Sequence, residues 1–478
     1  MKQHTVEKIG GTSMSNYQAV RDNIIRRGCN SPDIYQRIFV VSAYGGITNL
    51  LLEHKKTGQP GVYGLFANVN DDNWELALDK LGEQLRTINA ELFTDPAMCE
   101  HANQFIDERL QETRSCLTDL KRVCQHGHFA LETHLKTVRE MLASIGETHS
   151  AWNLAQLLKR DGVNARYVDL TGWSDNKHLS LDERILESFE GIDLASELPI
   201  VTGYAHSKEG LMSTFERGYS EMTFSRIAVL TAAREAIIHK EYHLSSADPL
   251  VVGADNAVPI GRTNYDVADQ LANLGMEAIH PKAAKGLRQQ DIHLRIMNTF
   301  EPEHSGTLVT RDYVSSKPRV EIIAGARNIY AIECFEQNMA GEIDQFDRDI
   351  LAIISRFKGH IVSKDITANS ITHYLATNLK TAKRIRREIE NLHTESHIQV
   401  RKVAILSAIG SDMKVPGILS KAVSALAAEN ISVLAIHQSL RQVDMQFVID
   451  EGDYDQAARS LHRALIEIHD HGEAICAA

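Results

Sequence analysis

Little in this sequence points to thiol or metal chemistry. Six cysteines are scattered over 478 residues. Cys29, Cys99, Cys116, Cys124, Cys334 and Cys476 form no CxxC pair and no Cys/His cluster with ligand spacing, so reduced structural thiols and no metal site are expected. Histidine is plentiful at 22 residues, yet no HExxH pattern appears. No apolar run approaches the ~20 residues that span a bilayer. The start, MKQHTVEKIGGTS, lacks the basic and apolar regions of a secretory signal. The expectation is a cytoplasmic protein with no membrane partner. Basic charge is also short: 51 Lys and Arg stand against 63 Asp and Glu, a net −12. That balance opposes general binding of nucleic acid, which needs cations against phosphates.

What is present suits a soluble globular chain, with 43% hydrophobic and 24% charged residues. The length calls for two or three domains. Residues 4–9 read as a short strand of alternating polar and apolar residues, running into Gly10-Gly11-Thr12-Ser13 and a helix from about Ser15 to Arg27. Residues 37–42 (RIFVVS) form a near-continuous apolar run, as in a strand buried on both faces, and lead into Ala43-Tyr44-Gly45-Gly46 and a second helix. Strand, glycine turn and helix thus occur twice in the first ~55 residues, an α/β signature. Helical patterning fills 72–158, strands resume at 165–170 and 198–204, and helices are predicted over 221–239 and 264–275 before a strand ending near Asn298. The polar stretch 301–320 marks a domain boundary. Beyond it, 350–366 and 418–436 share a helix followed by a strand, an internal duplication of a small α+β module.

Several segments carry the chemistry. A strand ending in Gly10 and Gly11 and opening a helix presents backbone N–H groups to phosphate oxygens. Thr12 and Ser13 can cap that helix or meet the phosphates, and Lys8 adds positive charge. GxxxxGK[ST] is absent, so this is no Walker A loop. The turn after Ser42, with Thr48 in its helix, repeats the geometry and suggests a pocket for two anions side by side. Ser144-Ile145-Gly146-Glu147 and Arg217-Gly218-Tyr219-Ser220-Glu221 add an acid that can hold an ammonium group and an arginine that can clamp a carboxylate.

In order, these segments resemble the aspartokinases of the amino acid kinase family along nearly the whole chain. That family carries K-F-G-G-T-S, then V-S-A with G-I-T-N, a G-E pair, G-R-G-G-S-D-Y-T, Y-x-x-D-P-R, G-A-K-V-L-H-P and two ACT domains. Here stand KIGGTSM (8–14), VSAYGGITNLL (41–51), SIGE (144–147), ERGYSEMT (216–223), SADP (246–249) and GMEAIHP (275–281). The resemblance implies a three-layer α/β/α sandwich with two C-terminal α+β ACT-like domains. Its ranges would be 1–312 for the catalytic domain and 329–396 and 400–475 for the ACT-like domains, the second completed by strand 320–328. It implies transfer of the γ-phosphoryl group of MgATP to the β-carboxylate of L-aspartate. Lys8 and Glu221 would be catalytic. Ser42, Thr48, Glu147, Tyr204, Arg217 and Ser220 would bind aspartate. Lys8, Gly10, Gly11, Thr12, Ser13, Ser245, Asp248 and Pro249 would bind ATP with its Mg2+. An amino-acid effector, lysine or threonine, and assembly into a homo-oligomer would both use the ACT domains.

Departures from the family pattern matter. Glu221 replaces an aspartate, Tyr219 a glycine, Leu250 an arginine and Glu277 a lysine, and the set looks most like the divergent aspartokinases associated with ectoine synthesis. Effector sites of such modules have a glycine where a strand turns into a helix. The second copy has it at Gly417, whereas the first is expected to lack it, with Asp347-Arg348-Asp349-Ile350 there and weakened feedback as the consequence. The alternative to a working kinase is an inactive amino-acid-sensing ACT protein.

Overall fold

The computed structural model describes residues 4–27, 34–55, 57–68, 73–126, 128–173, 175–215, 218–276 and 278–467. The chain divides into two compact units, 1–243 with 279–311, and 244–278 with 312–478. The second unit thus takes in a stretch from inside the expected 1–312 range. No helix among the described residues is long and apolar enough to cross a membrane.

The first unit is built on a parallel sheet. Its strands are β1 (Thr5–Ile9), β2 (Arg37–Val41), β3 (Ala165–Val168), β4 (Leu198–Thr202), β5 (Glu235–Lys240), β7 (His293–Asn298) and β8 (Thr307–Thr310), with β6 (Arg262–Asn264) belonging to the second unit. They lie in the order β3-β4-β2-β1-β5-β7-β8, parallel except for the β7–β8 pair. Every residue of β1 and β4 is buried, as expected of central strands covered on both faces. The helices Trp74–Leu92, Pro96–Cys124 and Leu135–Arg160 fill the region of helical patterning.

The expected helix 221–239 is corrected. It ends at Leu230, and 235–240 form β5, hydrogen-bonded beside β1. Ala232 takes a positive φ of 52°, which stops the helix. The run AIIH is too short for periodicity to separate helix from strand. The expected helix 15–27 is Tyr17–Ala19 continued as a π-helix, Val20–Arg26. The alternation of β1 also misleads, because its polar residues do not face water. Glu7 accepts from Arg37 Nε at 2.6 Å and Nη2 at 2.9 Å, from Thr5 at 2.8 Å, and pairs with His239 Nε2 at 2.8 Å. Burial alone would raise the Glu7 carboxyl, but the Arg37 charge and these hydrogen bonds hold it far below the usual carboxylate range. The network ties β2, β1 and β5 in one register.

In the second unit β9 (Ile322–Phe335) and β12 (His397–Ile409) are long antiparallel partners that serve two modules. The register places 329–335 opposite 397–403 and 322–326 opposite 405–409. With β10 (His360–Ile366), β11 (Ser370–Ala376), β13 (Val433–Gln438) and β14 (Asp444–Asp450) they form one sheet, β10-β11-β9-β12-β14-β13. The helices Ile343–Arg356 and Leu379–Leu392 belong to the first copy, Ile418–Ala428 and Tyr454–Leu465 to the second. Segment 244–278 joins this unit through Ile323 N, which donates to the Ser246 carbonyl at 2.7 Å, and the Ser246 hydroxyl, bonded to His462 at 2.9 Å. The expected loss of the bend glycine in the first copy is corrected as well. Asp347–Ile350 lie inside a helix, and the turn before it holds Gly341 at φ 95°, matching Gly417 at φ 83°.

Replacing Glu7 by Ala leaves the largely covered Arg37 guanidinium without its carboxylate. A loss of about 3 kcal/mol is expected in urea unfolding at pH 7, and a loss under about 1 kcal/mol would contradict the structural weight given to this network.

Candidate active site

Parallel sheets place ligands outside the carboxyl ends of their strands, where successive connections diverge to opposite sides. Here β2 lies on one side of β1 and β5 on the other, and Lys8 stands near the carboxyl end of β1, buried. Lys8 Nζ donates to Glu221 Oε1 at 3.2 Å, and the His280 amide donates to Glu221 Oε2 at 2.5 Å. Burial would raise the Glu221 carboxyl, but the charges of Lys8 and Lys240 and the His280 amide outweigh it and keep it below the usual range. The extra methylene of Glu221 relative to aspartate is thus accommodated, both oxygens being engaged.

Glu147 lies on the helix Leu135–Arg160 at 1% exposure. Its Oε1 accepts from the Ser220 hydroxyl at 2.6 Å, while its Oε2 has no hydrogen-bond partner. Burial pushes this carboxyl up to about 8, against the opposing pull of Ser220, the Lys8 charge and the nearby Tyr204 and Ala43 amides. A buried acid with a spare oxygen is suited to a cationic ligand group, which would supply the missing charge and donors.

Glycines make room for this arrangement. A Cβ on Gly146 would meet Ala43 Cβ at 2.8 Å, so glycine lets the helix bearing Glu147 lie against the turn after β2. A Cβ on Gly203 would lie 2.7 Å from the Val41 carbonyl oxygen and 2.9 Å from Glu147 Oε2. A Cβ on Gly11 would lie 2.7 Å from the Ala43 carbonyl oxygen, which brings the two glycine turns together.

The other expected residues fall as follows. Ser42 and Thr48 are half-buried in and just after the second turn, and the Ser42 carbonyl accepts from Ser150 at 2.9 Å. The Gly10 amide is used by the sheet, donating to the His239 carbonyl at 3.1 Å, and Gly11 opens a helix that no side chain caps. Thr12 is exposed, 3.5 Å from Glu241 Oε1. Ser13 is fully buried, its hydroxyl bonded to Thr299 at 2.8 Å, so it faces the core rather than a ligand. The Tyr204 hydroxyl donates to Glu140 at 2.8 Å, and its ring meets Tyr219 edge-on at 5.7 Å. Ser245, Asp248 and Pro249 belong to the second unit, where Asp248 caps a short helix through the Leu250 amide at 2.9 Å and Leu250 is exposed. Arg217 and Glu277 lie outside the described residues.

Sequence reading missed Lys240, His280, Gly203 and Glu140. Lys240 was hidden because β5 was read as helix. His280 was quoted only as part of a motif, yet its ring occupies the space a Gly218 side chain would need, with Cδ2 2.4 Å from an added Cβ. No local signal could have found Gly203 or Glu140. Among the described residues there is no group of three or more His, Cys, Asp or Glu that could hold a metal ion.

Gly203→Ala forces a methyl group against Val41 and Glu147. A destabilisation of about 2 kcal/mol is expected from such overpacking, read as a lowered Tm; an unchanged Tm would show that the turn relaxes freely.

The amino acid kinase family model matches residues 3–298, and an ACT domain model matches residues 406–465. The chain is similar to the aspartate kinase Ask_Ect of Stutzerimonas stutzeri, 55% identical over 476 residues, which covers 99% of this chain and 100% of that one. Its fold is similar to the crystal structure of E. coli aspartokinase III in complex with aspartate and ADP (R-state), with TM-score 0.72, 20% identity and coverage of 97% and 99%. The same enzyme in complex with lysine and aspartate (T-state) gives TM-score 0.73, 20% identity and coverage of 97% and 100%. With its paired Lys8 and Glu221, its half-satisfied buried Glu147 and a full-length relative at that identity, the chain belongs to the amino acid kinase family, among the aspartokinases.

Proposed function

We propose that this aspartokinase transfers the γ-phosphoryl group of MgATP to the β-carboxylate of L-aspartate, giving 4-phospho-L-aspartate and ADP. The observation that carries the reading is Glu147, a buried carboxyl with one oxygen held by Ser220 and the other unpartnered, which suits the α-ammonium group of an amino acid. Thr48 and Ser42 would complete the amino-acid pocket, and Arg217 would clamp a carboxylate. Gly10, Gly11 and Thr12 would line the phosphates, with Ser245, Asp248 and Pro249 assigned to the nucleotide on the resemblance alone. The division into a catalytic domain 1–312 and ACT modules 329–396 and 400–475 belongs to the same proposal.

The chemistry needs no general base. A carboxylate nucleophile, with a reference pKa near ~4, is already ionised at neutral pH. Its oxygen forms the new bond to the γ-phosphorus as the bond to the ADP oxygen breaks. The obstacle is repulsion between two anions. Lys8, aimed by Glu221 and joined by Lys240, supplies fixed positive charge where negative charge is transferred. Magnesium, bound with the nucleotide, would add charge neutralisation on the phosphates.

In the second module a cavity of about 410 Å³ at the β12-to-helix turn is lined by Val415, Pro416, Gly417, Ile418 and three cations, Lys317, Arg319 and Lys421. An amino-acid effector there fits the family.

An ATP-dependent hydroxamate assay with aspartate tests the activity, and acyl phosphate is expected. Lys8→Ala should lower kcat by about 10²- to 10³-fold in the folded protein, with a loss of stability because Glu221 is left buried without its cation; wild-type turnover in that variant would remove Lys8 from the mechanism. The pH dependence gives a second check. Glu147 is neutral below about 8 and must lose its proton to pair with an ammonium. The kcat/KM for aspartate should therefore rise with pH up to about 8, and Glu147→Gln should abolish that rise. A limb that persists in the variant belongs to another group.

A further inference from the structure

Glu140 stands seven residues before Glu147 on the same helix, close to two turns away and so on nearly the same face. It touches no proposed ligand position, yet its buried carboxylate takes four hydrogen bonds. Oε2 accepts from the Tyr204 hydroxyl at 2.8 Å and the Met212 amide at 3.0 Å. Oε1 accepts from the Ser213 amide at 2.9 Å and the Ser213 hydroxyl at 3.2 Å. The two amides open the helix Leu211–Phe215, where N–H groups have no partner within the helix. The turn before it is shaped around the same carboxylate: Gly210 has φ 74°, and a Cβ there would lie 3.0 Å from Glu140 Oε1.

These contacts close a ring. Tyr204 packs edge-on against Tyr219, its neighbour Ser220 donates to Glu147, and Glu147 returns along the helix to Glu140. We propose that Glu140 is a positioning residue for the amino-acid substrate: by clamping Tyr204 and the start of the helix Leu211–Phe215 it fixes the packing against Tyr219 that keeps Ser220 in register with Glu147. This rests on the function proposed above and adds a residue that neither reacts nor touches substrate. Its donors are a phenol, a hydroxyl and two amides, so the clamp serves geometry rather than charge balance.

Glu140→Gln keeps the shape but turns an NH2 group toward N–H or O–H donors, which opens part of the clamp. In full-length protein the expected result is a rise of about tenfold or more in the KM for aspartate, with the KM for ATP changed by less than about twofold. Tyr204→Phe removes a single hydrogen bond and guards against failure of the first variant to fold. It should raise the aspartate KM by about threefold and add little in the Glu140→Gln background. An unchanged aspartate KM in folded Tyr204→Phe and Glu140→Gln overturns the proposal, as does an equal rise in both Michaelis constants, which marks a merely structural role. A wild-type protein that makes no acyl phosphate removes both this inference and the activity beneath it; an active one with unaltered variants removes this inference alone.

Discussion

An ammonium group held away from water needs a counter-charge, and at the end of β1 that need organises the first unit. Lys8 is buried and meets Glu221 at 3.2 Å. Neither group would be tolerated alone, because removing one partner of a buried pair leaves the other desolvated and uncompensated. The pair joins the central strand to the helix Tyr219–Leu230, and the His280 amide adds the start of the helix Pro281–Gln289. Three stretches far apart in sequence are thus fixed around one cation. The same cation is the natural place to stabilise a transferring phosphoryl group.

Glu147 follows the opposite logic. Among the described residues only the Ser220 hydroxyl meets it in full hydrogen-bonding geometry, and the Tyr204 and Ala43 amides and the Lys8 charge do not offset burial, so desolvation dominates and the acid holds its proton to about 8. One glutamate is satisfied within the protein and the other is left for a ligand. On the proposed function, that contrast separates a charge that positions Lys8 from one that would meet the substrate ammonium. Both depend on close backbone approach: Gly146, Gly203 and Gly218 each stand where a Cβ would strike a neighbour.

In the second unit the governing constraint is strand sharing. β9 and β12 run through both modules, so neither sheet is complete without a strand whose other half belongs to its companion. A glycine with positive φ stands at the start of the leading helix in both copies, Gly341 one residue before the N-cap and Gly417 at it.

Motif order alone determined much here. KIGGTS, VSAYGG, SIGE and the duplicated module identified the fold and family, because glycine turns after buried strands and a doubled α+β pattern are local features. Strand β5 was not legible, since a run as short as AIIH reads equally as helix until its neighbours are known, and Lys240 went with it. Ser13 looked like a phosphate ligand by its place beside two glycines, but packing turned its hydroxyl to Thr299. The alternation of β1 suggested a wet face, yet the tertiary structure buried Glu7 against Arg37 and His239 from two other strands. Local chemistry determined which groups could act. Which of them are buried, paired or left with an open valence was decided only by contacts between residues up to 286 positions apart, and desolvation makes those contacts decisive.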